Sequence, residues 1–151
     1  MFHRRSVLGL LAAAPLVALA GPAFAASPMV FSRDGLAIGG TDPVAYFRDA
    51  APVQGRADFA LMWHGATWAF ASAENMESFE MNPEAFAPQF GGYCAYALAQ
   101  GALAPTVPDA WTIYQGRLYL NYSLPVRAEW AADIPRMLTL ATPHWPTILQ
   151  G

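Results

Sequence analysis

Phe59-Ala60-Leu61-Met62-Trp63-His64-Gly65-Ala66-Thr67-Trp68-Ala69-Phe70 decides the fold class. Two apolar, aromatic-rich runs flank a two-residue x-Gly turn, the short-range signature of a β-hairpin. Phe59, Leu61 and Trp63 alternate onto one face of the first strand, as do Trp68 and Phe70 on the second. The same device returns as Trp111-Thr112-Ile113-Tyr114, Gln115-Gly116 and Arg117-Leu118-Tyr119-Leu120-Asn121-Tyr122. The two hairpins are expected to supply most of a small antiparallel sheet.

Around them the signals are helical and short. Ser72 can cap a helix from Ala73 to about Met81, with Phe79 inward and Glu74, Glu77 and Glu80 facing water. Asn82-Pro83 ends it, and Glu84-Ala85-Phe86 makes one further turn. Upstream, Leu36-Ala37-Ile38 reads as a strand, and Asp42-Pro43 starts a brief helix over Val44–Phe47. Downstream, Ser123 caps a stretch through Trp130, Asp133 starts another through Ala141, and Pro143 and Pro146 bracket a closing turn. The expectation is one α+β domain: a small antiparallel sheet built from two hairpins, with short helices packed around it.

The start of the chain reads differently. Arg4-Arg5 precede an apolar run from Val7 to Ala20, and Ala23-Phe24-Ala25 gives a small-x-small cleavage pattern. A basic start, a short apolar run and this box define a secretory signal over residues 1–25, cut between Ala25 and Ala26. Arg4-Arg5 followed by Ser6-Val7-Leu8 fits the twin-arginine type, which exports folded proteins. The expected destination is a bacterial periplasm, with no stable membrane anchor after cleavage.

The remainder of the chain, residues 26–151, is the size of a single domain. The chain has no lysine; the leader takes two of its eight arginines, leaving six against 11 acidic residues, a net charge near −5. Nucleic acid and anionic lipid both need a basic patch, so neither is an expected partner. A single cysteine, Cys94, excludes an internal disulfide. It is a buried spectator, an intermolecular partner or a functional thiol.

Cys94 sits in Gly91-Gly92-Tyr93-Cys94-Ala95-Tyr96-Ala97-Leu98-Ala99-Gln100-Gly101. Gly91 and Gly92 can adopt backbone angles closed to other residues, and the Ala/Leu run behind them forms helix. Cys94 is therefore expected in or beside the first turn of a short helix, where free N–H groups favour a thiolate. Gly91, Gly92, Tyr93 and Tyr96 would shape the site.

His64-Gly65-Ala66-Thr67-Trp68-Ala69-Phe70-Ala71-Ser72-Ala73-Glu74-Asn75, Phe79, Pro83, Phe86 and Gly91-Gly92-Tyr93-Cys94-Ala95-Tyr96 together resemble a YHS-domain protein of the exported bacterial branch. The resemblance extends to Asp42–Phe47, Trp111–Ile113 and Leu118–Tyr122, nearly all of the chain beyond the leader. It implies a small α+β fold and heavy-metal handling, copper in particular, with Cys94 at the position that is cysteine or selenocysteine in that branch. Two further positions that carry cysteine in metal-binding relatives are Ala71 and Asn75 here, so a multi-cysteine site is absent. Thr41 also stands where an aromatic residue is expected.

These considerations favour an exported, non-enzymatic metal-binding protein, with the Cys94 thiolate selecting Cu(I) or Zn for copper buffering or delivery. A second ligand is required: His64, Met62, Met76, a copper-handling partner protein, or a second copy bridging two Cys94 thiolates. Each has an ordinary explanation, since His64 lies in a turn and methionines fill cores. His144, in a terminal turn, is no better placed. The spacing shows no H-x₃-H, C-x₂-C or H-E-x-x-H pattern. Two alternatives stay open: a thiol redox protein, in which Cys94 is oxidised and resolved by an external thiol, and a structural or interaction module with an inert Cys94. Hydrolase, phosphate-loop and dinucleotide signatures are missing.

Overall fold

A computed structural model describes residues 12–15 and 25–151, so the leader expected over residues 1–25 lies almost wholly outside the described residues. Ala25 and Ala26 are exposed and irregular. Among the described residues no helix is long and apolar enough to cross a membrane.

The two hairpins form where expected. β3 (Arg56–Trp63) and β4 (Ala66–Phe70) pair antiparallel, with Leu61 opposite Trp68 and Trp63 opposite Ala66. β5 (Trp111–Tyr114) and β6 (Arg117–Leu120) pair with Ile113 opposite Leu118. In both turns two consecutive residues have positive φ, His64 (51°) with Gly65 (74°) and Gln115 (50°) with Gly116 (75°), which matches the right-handed twist of the strands they join.

The sheet arrangement departs from a single antiparallel sheet. β1 (Ser32–Arg33) and β2 (Leu36–Ala37) add to the first hairpin in the order β1-β2-β4-β3, with β2 parallel to β4, while β5 and β6 form a separate two-stranded sheet. Leu36 and Ala37 extend as expected, but Ile38 takes φ 45° and turns into a 3₁₀ helix, which cuts the strand short. The overall class is α+β, with both sheets and all the helices sharing one domain.

Helices cover both sheets. The α1 helix (Ala45–Arg48) starts from Asp42, whose carboxylate accepts from the N–H of Val44 (2.8 Å) and Ala45 (3.3 Å). Ser72 caps α2 (Ala73–Met81) by accepting from Asn75 N. This seats Phe79 against Trp68 and Phe70, with ring centroids 5.0 and 5.1 Å away. Phe79 is fully buried, a burial that stabilises by about 2–3 kcal/mol. Glu74, Glu77 and Glu80 are exposed, as their helical spacing requires. The α3 helix (Pro83–Phe86) leads into α4 (Ala95–Ala99).

Leu118 and Leu120 of β6 join the Trp68–Phe79 core, while Tyr119 on the opposite face packs on Trp130 at 5.2 Å. Ser123 caps α5 (Leu124–Ala131) and Asp133 caps α6 (Ile134–Ala141). The chain then returns as two 3₁₀ turns that place Trp145 beside Phe90 and Tyr93.

Candidate functional site

The Gly-Gly step is pinned from both sides. Gly91 (φ 63°) and Gly92 (φ 83°) adopt the left-handed conformation, and a side chain at Gly91 would collide with the Met29 carbonyl. Phe31 N donates to Gly91 O (2.9 Å), and Thr106 Oγ1 donates to Gly92 O (2.8 Å). Tyr93 then anchors its hydroxyl on Pro28 O at 2.7 Å, and burial pushes this phenol up from its ordinary range. These contacts deliver Cys94 to the N-cap position of α4, with its own N–H on Ala104 O (3.0 Å).

Cys94 is only 1 % exposed. Its thiol donates to Asn121 Oδ1 (3.5 Å), and the backbone N–H of Tyr122 donates to the sulfur at 3.3 Å. α4 has only five residues, and its Tyr96 N–H is taken by Asn121 Oδ1 at 3.0 Å rather than by Cys94. The sulfur thus lies between the Asn121 carbonyl oxygen and the Tyr122 N–H. Asn121 is fully buried, and its Nδ2 has no partner.

The residues expected to assist Cys94 lie on other elements. His64 stacks on Trp63 in the β3–β4 turn, with ring centroids 3.6 Å apart. Met62 is 67 % exposed and its sulfur accepts from Thr67 Oγ1, while Met76 packs against the Trp68–Phe79 core. His144 lies near Gly101. The tyrosine hydroxyls point elsewhere: Tyr46 donates to Pro108 O (2.8 Å), and the Tyr122 side chain is largely exposed. Tyr96 packs in the Trp130 cluster.

The residues in place around Cys94 do not fit a closed copper site. Cu(I) asks for a second soft donor, and the groups that meet the sulfur are an amide oxygen and a backbone N–H. Among the described residues no three His, Cys, Asp or Glu side chains gather to hold a metal. At positions 71 and 75, Ala71 N and Asn75 Nδ2 donate to Asp42 Oδ2, at 2.9 and 2.7 Å. Thr41 is 2 % exposed, with a hydroxyl that has no partner.

A second feature escapes the sequence reading. Between the β3–β4 turn, the segment after α3 and the C-terminal turn lies a half-open cleft of about 290 Å³. Trp63, Trp68, Phe90 and Trp145 are its aromatic walls, and His64, Glu84, Gln89 and Arg117 its polar groups. Trp68 has spent its N–H on Trp63 O (3.0 Å). Neither Glu84 nor Arg117 makes an ion pair among the described residues, where the pairs are Arg48–Glu74 and Arg56–Asp58. A neighbouring hollow of about 280 Å³ shares Gln89, Phe90, Arg117 and Trp145. The sequence signals for it are faint: tryptophan at a hairpin turn, and Pro143-His144-Trp145-Pro146 near the end of the chain.

Comparisons with family models, curated proteins and solved structures find no match to this chain.

Proposed function

We propose that this chain is an exported, non-enzymatic binding protein of the YHS type, whose ligand seat is the aromatic cleft and in which Cys94 is a structural thiol. The observation that carries the reading is the cleft: four aromatic side chains and two opposite charges without ion-pair partners among the described residues, converging from four separate parts of the chain. Concave, mainly apolar sites with a few convergent polar groups are where proteins hold small molecules. Among the described residues the groups that meet the buried Cys94 sulfur are an amide oxygen and a backbone N–H, the surroundings of a structural cysteine.

The test is a thermal-shift screen of small metabolites on the full chain beside Arg117→Gln. Ligand binding to the folded state raises Tm by mass action. A compound that raises Tm in the wild type and not in the variant supports the reading. A screen in which every hit acts equally on both contradicts it.

Copper buffering or delivery through Cys94, which the YHS resemblance implies, is the second reading. It rests on the chain's only thiol, a soft donor. It needs a soft ligand from outside the chain, a copper-handling partner or a second copy, and an opening of α4 that uncovers the sulfur.

A further inference from the structure

We propose that the aromatic cleft takes a small zwitterion, a quaternary ammonium joined to a carboxylate by a short linker. The proposal rests on the reading of the cleft as the ligand seat and names the chemistry of its ligand.

Charge sets the first constraint. Glu84 comes from α3 and Arg117 from the start of β6; both line one cleft, and neither has an ion-pair partner among the described residues. A simple anion would leave Glu84 facing a like charge, and a simple cation would do the same with Arg117. A zwitterion matches both.

The walls set the second. Three tryptophans and a phenylalanine line the cleft, and the N–H of Trp68 is already committed to Trp63 O. Aromatic rings attract cations that surrender little hydration, which is why quaternary ammonium groups settle among them. A primary ammonium would give up three hydrogen bonds to water and find one carboxylate.

The two hollows orient the ligand. Trp63, Trp68 and Glu84 line only the first, whereas Arg117 and Gln89 border both. The carboxylate therefore lies at the junction, on the Arg117 fork and the Gln89 amide, and the ammonium lies toward Trp63, Trp68 and Glu84. A cleft of about 290 Å³ suits a compact molecule.

Glycine betaine is the probe, followed by tryptophan fluorescence and by calorimetry on the full chain. Two near-isosteres separate the charges: 3,3-dimethylbutanoate lacks the positive charge, and choline lacks the carboxylate. Betaine is expected to bind about tenfold more tightly than either. Arg117→Gln should erase its advantage over choline, and Glu84→Gln should reduce its advantage over 3,3-dimethylbutanoate to what the aromatic walls alone supply. Both side chains are exposed and make no hydrogen bonds among the described residues, so the fold should persist, which circular dichroism checks. If one isostere binds as well as betaine, the zwitterion is wrong and the cleft remains a binding site. If all three probes are silent, the zwitterion is wrong, and the metabolite screen on wild type and Arg117→Gln decides separately whether the cleft binds a ligand.

Discussion

Asp42 gives the sharpest test of how the fold is held. Its fully buried carboxylate accepts four hydrogen bonds, from Val44 N (2.8 Å) and Ala45 N (3.3 Å) on Oδ1 and from Ala71 N (2.9 Å) and Asn75 Nδ2 (2.7 Å) on Oδ2. One side chain thereby ties the start of α1 to the end of β4 and to α2. Asn75 extends the network, accepting from Arg48 Nη1 at 2.7 Å. Asp42→Asn keeps one carbonyl oxygen and strands two of the four donors. At about 1–3 kcal/mol for each buried donor without a partner, the loss is about 3 kcal/mol. Asp42→Ala strands all four and loses about 5 kcal/mol, within reach of the whole stability of a domain this size. Urea unfolding followed by tryptophan fluorescence measures both. The midpoint should fall in the order wild type, Asn, Ala, with Tm down by about 10 °C for Asp42→Asn. The double variant with Asn75→Ala should lose less than the sum of the singles, because they share a hydrogen bond. A loss under about 1 kcal/mol for Asp42→Asn, or no difference between Asn and Ala, would refute the reasoning.

Three further outcomes rest on the geometry. Cys94→Ala leaves the Tyr122 N–H without its sulfur and opens a small void, a loss of about 2 kcal/mol in urea unfolding; no measurable loss would remove the structural role of the thiol. Gly91→Ala should cost more than about 3 kcal/mol, because the new methyl meets the Met29 carbonyl, whereas Gly116→Ala meets nothing and costs about 1–2 kcal/mol of left-handed strain; equal costs would put the close approach in doubt. Burial, reinforced by Asp109, pushes the Tyr46 phenol well above its ordinary range. Unfolded tyrosine ionises near pH 10, so above that pH the unfolded chain releases a proton that the native chain keeps. Stability then falls by about 1.4 kcal/mol per pH unit from Tyr46 alone; a urea midpoint unchanged between about pH 9 and about pH 11 would contradict this.

Local rules explain what was legible. Both hairpins are readable because an x-Gly turn between alternating aromatic runs has few other solutions, and Ser72, Ser123 and Asp133 are readable as caps because each precedes a helical run. The parallel pairing of β2 with β4 is not readable, since β2 has two residues and gains its place only through tertiary contact. The N-cap position of Cys94 follows from Gly-Gly before an Ala/Leu run. Its surroundings do not, because Asn121 lies 27 positions away and takes the helix N–H that the thiol was expected to use. Spacing likewise hides the cleft, which exists only because the chain's end brings Trp145 back beside Phe90.

Whether Cys94 is a structural thiol or a copper ligand is decided by a Cu(I) competition titration. The reduced full chain and Cys94→Ser are titrated side by side against a chromophoric chelator. With Cys94 structural, both proteins should bind copper weakly and equally. Tight binding at one copper per chain or per dimer that collapses in Cys94→Ser would contradict it and make Cys94 the functional centre.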